Sequence, residues 1–152
     1  MAVNTPGAVE DDILVGSWFI LELPKLKIES ITEISGLALE IDVVEVKSAS
    51  KDGKTIVMKR PASAKFGDIT VKRLLTADKS MWNWCKEIRD GTKKFRENGS
   101  IVLYDIANKE VGRWNFTNAW PSKWSASDLD VGQGDPMTEE LTLTVELLER
   151  IK

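Results

Sequence analysis

The side chains that most often carry out catalysis or bind metal ions are scarce in this 152-residue chain. It contains no histidine and a single cysteine, Cys85. The commonest general base and metal ligand is therefore missing, and one thiol cannot form an intrachain disulfide or a thiolate metal site. Any catalysis would have to rest on carboxylates or lysines. The composition favours a protein that is not an enzyme.

Carboxylates occur in close pairs, but each pair lies in a polar stretch. The pairs are Asp11/Asp12, Asp128/Asp130 and Glu139/Glu140. In such a setting a solvated surface is a far commoner role than general acid and base catalysis. The run from Asp128 to Asp135 resembles a calcium loop only superficially, because Gly132 and Gln133 stand where a third ligand and the turn glycine are needed. We predict no catalytic residue, no bound metal and no cofactor.

Tryptophan is the residue type here that is best suited to binding, and three of the six tryptophans lie within a dozen residues. The segment contains Trp114, Phe116, Trp120, Pro121 and Trp124. Tryptophan offers a large contact area and a hydrogen-bond donor, so the cluster is either a structural corner or a platform for sugar rings or bases. Because Pro121 biases the preceding residues to extended geometry, packing at a sheet crossing is favoured. A small β-sandwich module that binds carbohydrate or another ligand stays open as the alternative.

One segment, residues 79–93, has the spacing of an amphipathic helix. Its apolar side chains recur at i, i+3, i+4 and i+7, which places them on one stripe. The stripe consists of Met81, Trp84, Cys85 and Ile88. Residues 76–78 offer capping side chains, and Gly91 offers a stop. Cys85 is therefore expected to be a buried thiol rather than a reactive one.

The rest of the chain has the alternation of β-strands. Strands are predicted at 18–23, 34–46, 55–59, 69–72, 101–104, 110–117 and 141–147, with loops at 63–67 and 98–99. The apolar positions change phase at Val43 and Val44, which predicts a β-bulge or a change of partner sheet. About seven strands and one helix favour a mainly β fold. We predict an antiparallel two-sheet sandwich or β-barrel with one flanking helix.

Length and composition predict one domain over residues 17–152, preceded by a flexible polar lead-in over 1–16. A hairpin extension is expected at about 47–61, with its tip at Asp52 and Gly53. No apolar run approaches the ~20 residues of a membrane span, and the first residues lack the pattern of a secretory signal. We therefore expect folding in the cytoplasm without membrane insertion.

The balance of charge argues against a protein whose role is to bind nucleic acid. The chain has 21 Lys plus Arg and 24 Asp plus Glu, which gives a net charge of −3. Nucleic-acid footprints are usually strongly basic. The sequence does not exclude nucleic acid passing nearby.

Several of these stretches together resemble the inner tube proteins of contractile phage tails and of related contractile injection systems. Residues 34–37 resemble the turn before the family's first long strand, and residues 65–73 and 98–105 are similar to two further strands. The helix carries Trp82 and Trp84 where the family has a tryptophan-bearing helix. Residues 113–129, RWNFTNAWPSKWSASDL, match the family's signature almost residue for residue.

The resemblance implies a structural role in a large assembly. Family members are barrel-like subunits of which six form a ring, and the rings stack helically into a hollow tube inside a sheath. It implies partners at the ends of the tube, a baseplate or tube initiator and a terminator, and a cargo of DNA or protein in the lumen. A tube-initiating subunit at the baseplate is the alternative role. Assembly in the cytoplasm and a final place in a virion tail or an injection particle are expected.

Two surfaces follow from this resemblance as expectations. The long polar hairpin is expected to reach an adjacent ring. One polar, solvent-facing side of the strands is expected to line the lumen. The candidate ring-to-ring residues are Lys47, Asp52, Gly53, Lys54, Lys59 and Arg60. The candidate lumen residues are Glu40, Asp42, Thr142, Thr144 and Glu146. An acidic or neutral lining would let DNA or an acidic payload slide without sticking.

Overall fold

The alternating segments of the sequence form antiparallel β-strands, and the amphipathic segment forms a helix. The computed structural model describes residues 13–24, 26–91, 96–129, 132 and 134–152. Within these ranges the elements are β1 (Trp18–Leu23), β2 (Leu26–Ser35), β3 (Leu39–Ala49), β4 (Thr55–Phe66), β5 (Ile69–Leu74), α1 (Ser80–Asp90), β6 (Glu97–Tyr104), β7 (Glu110–Ala126), β8 (Thr138–Thr144) and β9 (Leu147–Arg150). The prediction of a mainly β, antiparallel fold with one helix is confirmed.

Six of the strands close into a barrel. Their order around the barrel is β1, β2, β5, β8, β7 and β6, and the barrel closes because β6 pairs with both β7 and β1. Strand β9 pairs with residues 114–117 of β7, beyond the end of β8. Strands β3 and β4 form a separate two-stranded sheet. Closure gives each of the six barrel strands two neighbouring strands, whereas β3, β4 and β9 each pair with one described strand only.

Apolar side chains fill the barrel from alternate positions of its strands. Leu21 lies opposite Ile101 on β1 and β6, and Val71 lies opposite Leu141 on β5 and β8. Phe116 of β7 is the largest fully buried side chain in the described core. No helix in the described ranges is long and apolar enough to cross a membrane.

The helix α1 covers one side of the barrel and lies within the predicted segment 79–93. It packs against β7 and β2. Gly91 ends it in a left-handed conformation with φ of 65°, in agreement with the predicted stop. At the other end, the N-cap residue Lys79 makes no capping bond with its side chain, and Asp78 instead accepts the backbone N–H of Ser80 at 3.0 Å. Of the predicted apolar stripe, Met81 and Trp84 are buried, and Cys85 and Ile88 are half-buried at the margin of the core.

Strand β2 is the element that the sequence pattern does not predict. Its inward residues Ile28, Ile31 and Ile34 are three apart, whereas a regular strand repeats every two residues. Ser30 has φ of 60°, and the pairing register shifts on both sides of this region. An irregular strand of this kind hides its own alternation.

Two predicted loops belong to strands. Residues 63–67 were expected as a loop, but β4 continues through Phe66. The Asn98-Gly99 pair was expected as a turn, but it lies within β6. A Cβ on Gly99 would stand 2.5 Å from the carbonyl oxygen of Glu22 and 2.6 Å from Cζ of Phe116. Gly99 is therefore required for a close approach rather than for a turn.

Strand β7 continues through Pro121, although the sequence predicted its end at Thr117. Pro121 lies at a register shift in the ladder with β8, where a missing N–H is tolerated. Asn118 just before it has φ of 53°, and here β7 changes its main partner from β6 to β8. The bend expected at Pro121 thus begins three residues earlier.

The predicted final strand over 141–147 is divided into two. Strand β8 ends at Thr144 and β9 begins at Leu147. Val145 between them remains buried, and the N–H of Glu146 bonds to the carbonyl of Thr117 at 3.2 Å. The interruption turns Leu147 away from the core, contrary to the expected continuous apolar face.

Several sequence predictions lie outside the described residues. These are most of the lead-in (residues 1–12, with Asp11 and Asp12), the helix extension to Lys93, and Asp130 and Gln133 of the calcium-like run.

Candidate assembly surfaces

The β3–β4 hairpin is the feature that most distinguishes this fold from a closed globular barrel. It leaves the barrel after β2 and returns at β5. At its base, Gly36 has φ of 86° and lies against the carbonyl of Asp68, where any side chain would clash. The N–H of Gly67 also bonds to the carbonyl of Ala38 at 3.2 Å. With about 3.3 Å per residue, the 11 residues of β3 span roughly 35 Å, so the hairpin is longer than the predicted 47–61 extension.

One face of the distal half of the hairpin is apolar and uncovered. The register places Val44 opposite Arg60, Val46 opposite Met58 and Ser48 opposite Ile56. Paired residues share a face, so four apolar side chains lie together. The four, Val44, Val46, Ile56 and Met58, are 39–48% exposed. We call this set the distal apolar face.

In the half of the hairpin nearest the barrel, the apolar side chains lie on the opposite face. Leu39, Ile41 and Val43 alternate with Glu40 and Asp42 along β3, and all three apolar side chains are exposed. The pairing register shifts between Ile41 and Val43, where β4 contains one extra residue. The phase change predicted at Val43 and Val44 is thus accompanied by a β-bulge. The hairpin therefore presents apolar surface in two directions.

The tip of the hairpin is a closed, hydrogen-bonded turn. The N–H of Ser50 bonds to the carbonyl of Lys54 at 2.8 Å, and the N–H of Gly53 bonds to the carbonyl of Ser50 at 3.0 Å. The hydroxyl of Ser50 accepts the N–H of Lys54 at 3.2 Å. Gly53 has φ of 72° and marks the turn that the sequence predicted. Lys51, Asp52 and Lys54 are exposed around this fixed backbone.

The structure places all six candidate ring-to-ring residues on this hairpin. Asp52, Gly53 and Lys54 lie at the tip. Lys59 is opposite Glu45 on the face away from the distal apolar face, and Lys47 shares that face. Arg60 lies at the inner end of the distal apolar face, opposite Val44. All six are exposed, and their contact with another ring stays a prediction.

The candidate lumen residues fall on two different sheets. Glu40 and Asp42 lie on β3, where Oδ2 of Asp42 is 3.1 Å from Nζ of Lys65. Thr142 and Thr144 are half-buried on β8 in the barrel wall, and exposed Glu146 follows that strand. Glu146 binds Arg96 (Oε1–Nη2 3.3 Å) and accepts a hydrogen bond from the side-chain amide of Asn118 at 2.9 Å. Glu40 and Asp42 on β3 therefore share no strand with Thr142, Thr144 and Glu146.

The tryptophan cluster lies along β7 and is half-buried. Trp114 packs against the core near the margin, and Trp120 lies opposite Thr144 of β8. The indole N–H of Trp124 donates to Oε2 of Glu139 at 3.1 Å. The ring of Trp124 also meets Trp82 of α1 edge to face, with centroids 5.0 Å apart. Phe116 and Pro121 of the same segment are buried.

A buried polar network, which was not predicted from the sequence, joins this cluster to the helix. Arg73 Nε donates to Oε1 of Glu139 at 2.5 Å, with both side chains 3% exposed. The two guanidinium NH groups of Arg73 donate to Oδ2 of Asp78 at 3.1 Å and to the backbone carbonyl of Asp78 at 3.0 Å. The hydroxyl of Ser80 donates to Oδ1 of Asp78. These bonds tie β8, β5 and the start of α1 together.

The expectation that Glu139 belongs to a solvated carboxylate pair is therefore wrong. Its neighbour Glu140 lies half-buried on the outer face beside Lys72, but Glu139 points inward in phase with Leu141 and Leu143. Arg73 is likewise in phase with Ile69 and Val71. The alternation of both strands was the signal that could have identified this pair, because a charged residue at an inward position needs a buried partner.

The thiol of Cys85 lies beside this network. Burial raises the pKa of Cys85 to about 11, and the negative charge of Glu139 contributes in the same direction. A thiol with so high a pKa is a poor nucleophile at neutral pH.

Comparison with known proteins identifies the family to which the chain belongs. A family model described as T4-like virus tail tube protein gp19 matches residues 15–149. The fold is similar to a chain of the PVC sheath/tube terminator of an extracellular contractile injection system (TM-score 0.76, 22% identity, 95% of this chain and 100% of that chain). It is also similar to a chain of the PVC sheath-tube complex (TM-score 0.75, 21% identity, 99% and 100%).

A third similar chain comes from the baseplate of the anti-feeding prophage (TM-score 0.70, 15% identity, 93% of this chain and 97% of that chain). At these identities the likeness shows a shared fold. A comparison with curated proteins gave no match.

Proposed function

The chain belongs to the T4-like virus tail tube protein gp19 family, and from that premise we propose that six copies form a ring and that the rings stack helically into a hollow tube. Membership of the family makes the chain a structural subunit of an inner tube. It also accounts for the tryptophan-rich segment, since the family match includes it. A carbohydrate-binding module is no longer needed to explain those residues.

The observation that carries the proposal is the uncovered hairpin. A two-stranded hairpin alone is marginally stable at best in water, and β3–β4 pairs with no other described strand. It nevertheless exposes the distal apolar face and two free edges. Exposed apolar patches and unpaired edges of this kind are typical of surfaces that another chain covers. In a protein of this family the covering chain is a second copy.

The change of apolar face along the hairpin supports two separate neighbours. Leu39, Ile41 and Val43 face one way near the barrel, whereas Val44 and Val46 face the other way further out. One neighbour can cover only one of these faces. A copy in the same ring and a copy in the adjacent ring would cover both, and a head-to-tail contact that repeats along an axis produces an open-ended filament.

The remaining expectations follow from the same role. The sheath, a baseplate or initiator and a terminator are the proposed partners, and DNA or a protein is the proposed cargo. The similar chains come from a sheath-tube complex, a sheath/tube terminator and a baseplate, which supports partners of this kind. Assembly in the cytoplasm, followed by residence in a virion tail or an injection particle, completes the proposal. The lumen is proposed to be lined by an acidic or neutral strand face.

Electron microscopy of the purified protein tests the ring and the tube. We expect six-membered rings that stack into tubes of unbounded length. A protein that stops at single rings would instead support the tube-initiating role. A protein that stays monomeric at high concentration would contradict the proposal.

A double substitution on the distal apolar face tests the role of the hairpin. Val46→Ser with Met58→Ser removes two cross-strand partners that contact no barrel core, so the subunit should fold normally but fail to polymerise. The control is Ile106→Ser in the turn after β6, where the side chain is 91% exposed. Deletion of residues 49–54 should have the same effect as the double substitution. Normal tube growth by these variants would show that the hairpin is not part of the assembly contact.

A further inference from the structure

A cavity of about 310 Å³ opens at the end of the barrel where β1 turns into β2. Leu23, Leu26 and Trp84 supply its apolar lining, and the carboxylates of Glu87 and Glu97 lie on its polar side. No residue of the described lining is basic. A cavity of this size is at the lower limit for small-molecule sites and suits one or two inserted side chains.

The cavity and the hairpin lie at opposite ends of the same strands. Strand β2 begins at Leu26, beside the cavity, and ends at Ser35, where the hairpin departs. Strand β5 begins at Ile69, where the hairpin returns, and its C-terminal end leads to Asp78 at the cavity. The ten residues of β2 separate the two features by roughly 30 Å. A contact between them in two copies would therefore be head to tail.

The charges of the two features are complementary. Between residues 44 and 60 the hairpin carries five basic and two acidic side chains, in a chain of net charge −3. Lys51 and Lys54 stand at its outermost turn. The hydrogen bonds of Ser50 hold that turn in one conformation, so little backbone order would have to be gained on docking.

We propose that the tip of the hairpin, with Lys51 and Lys54, inserts into this cavity of the next copy along the tube axis. The lysine stems cover the apolar lining, and their ammonium groups meet the carboxylate of Glu97 on the polar side of the cavity. We call this cavity the socket. The contact between tip and socket rests on the proposed function, because it specifies how one ring engages the next. The contact is heterologous, so every copy offers one tip and one socket, and the chain of contacts has no end.

Disulfide trapping tests the socket directly. In a Cys85→Ser background, Lys54→Cys is combined with Asn83→Cys, because Asn83 is exposed and lines the cavity. Mild oxidation of assembled protein should give a ladder of covalent oligomers on a denaturing gel. The matched control combines Lys54→Cys with Ile106→Cys, which is exposed at the hairpin end of the barrel and should give no ladder.

Charge reversal provides a second measurement. Lys54→Glu alone and Glu97→Lys alone should each reduce the yield of tubes at least tenfold, and a mixture of the two variants should recover tubes or ring pairs. Circular dichroism checks that each variant is folded. Tubes that form normally without the cysteine ladder would overturn the socket and leave the proposed function standing. An absence of rings and tubes in the wild type would overturn both.

Discussion

Arg73 and Glu139 form a buried ion pair across neighbouring barrel strands, with Nε and Oε1 2.5 Å apart. The two residues are directly opposite in the β5–β8 ladder. Both carboxylate oxygens of Glu139 are used, one by Arg73 and the other by the indole of Trp124. The guanidinium is also bound to Asp78 at the start of α1. The pair therefore fixes the helix and the end of β7 relative to the barrel.

Removal of the charge of Glu139 should strongly destabilise the subunit. Glu139→Gln leaves the buried guanidinium of Arg73 with only Asp78 as a counter-charge, and we expect a loss of about 3 kcal/mol in the free energy of unfolding. Urea denaturation of the monomer measures this. The control Glu140→Gln changes the half-buried neighbour on the outer face, whose carboxylate lies 4.0 Å from Nζ of Lys72, and should cost less than ~0.5 kcal/mol. Equal costs for the two variants would contradict the role of the pair.

The hydrogen bond of Trp124 can be isolated from its packing. Trp124→Phe keeps an aromatic ring but leaves Oε2 of buried Glu139 without its indole donor, and we expect a loss of about 1–3 kcal/mol. Trp82→Phe is the matched control, because Trp82 is 41% exposed and contacts Trp124 only through its ring. The same denaturation experiment compares them. A cost for Trp82→Phe as large as that for Trp124→Phe would assign the effect to ring packing.

The sequence predicted the elements whose periodicity is regular and failed where a bulge interrupts it. The stripe of α1 and the alternation of β5 are simple repeats, so both were predicted. In β2, Ser30 in a left-handed conformation puts Ile28 and Ile31 on one face three residues apart, which matches neither a strand nor a clear helix. Such a bulge depends on the neighbouring strands β1 and β5, which single-sequence patterns do not contain.

For the candidate assembly surfaces, local sequence patterns predicted the hairpin but not which of its faces stay uncovered. The phase change at Val43 and Val44 is visible in the sequence, and the bulge in the hairpin accompanies it. That both resulting apolar faces are uncovered depends on how the barrel closes elsewhere, through β6 pairing with β1 and β7. Closure is a long-range property, so the alternation of β3 and β4 by itself does not show that both faces stay uncovered.

Gly99 should be intolerant of even one added methyl group. Its Cβ would meet the carbonyl of Glu22 and the ring of Phe116, both of which are held by strand pairing and core packing. We expect Gly99→Ala to cost about 1–3 kcal/mol. Gly132→Ala is the control, because a Cβ there has no neighbour within 4 Å. Thermal unfolding measures the midpoints of the two variants. Equal midpoints would show that Gly99 is not required for the close approach of Glu22 and Phe116.

Cys85 should react slowly as long as the subunit is folded. Its pKa is raised by burial and by Glu139 from 9.0 to about 11, so at pH 8 the thiolate fraction falls roughly 100-fold below that of an unperturbed thiol. Alkylation with iodoacetamide, followed by mass spectrometry, should show this ratio between native and urea-unfolded protein. In the native state the rate should rise about tenfold for each pH unit from 8 to 10. A native rate equal to the unfolded rate would show that the thiol is not shielded.

Asp78 should make the stability of the subunit sensitive to acid. Its pKa is held below the ordinary value of 3.8 mainly by hydrogen bonds from the hydroxyl and the backbone N–H of Ser80, with Arg73 contributing and desolvation opposing. A carboxyl whose pKa is lower in the folded state binds its proton more weakly there than in the unfolded chain. Its contribution to stability is therefore complete above the unfolded pKa and is lost as the pH falls through 3.8 towards the folded pKa.

Replacement of this carboxyl should flatten the acid limb of the stability curve. We expect the free energy of unfolding of Asp78→Asn to fall less steeply than that of the wild type between about pH 5 and pH 3, because the variant has no proton to gain at this site. Urea titrations at several pH values in this range measure the slopes. Asp52→Asn, at the exposed hairpin tip, removes a carboxylate outside the Arg73 network and serves as the control. Parallel slopes for Asp78→Asn and wild type would contradict this prediction. They would mean that the bonds from Ser80 and Arg73 do not favour the charged form of the carboxylate over the neutral form. The buried ion pair with Glu139 would then be the part of the network that stabilises the fold.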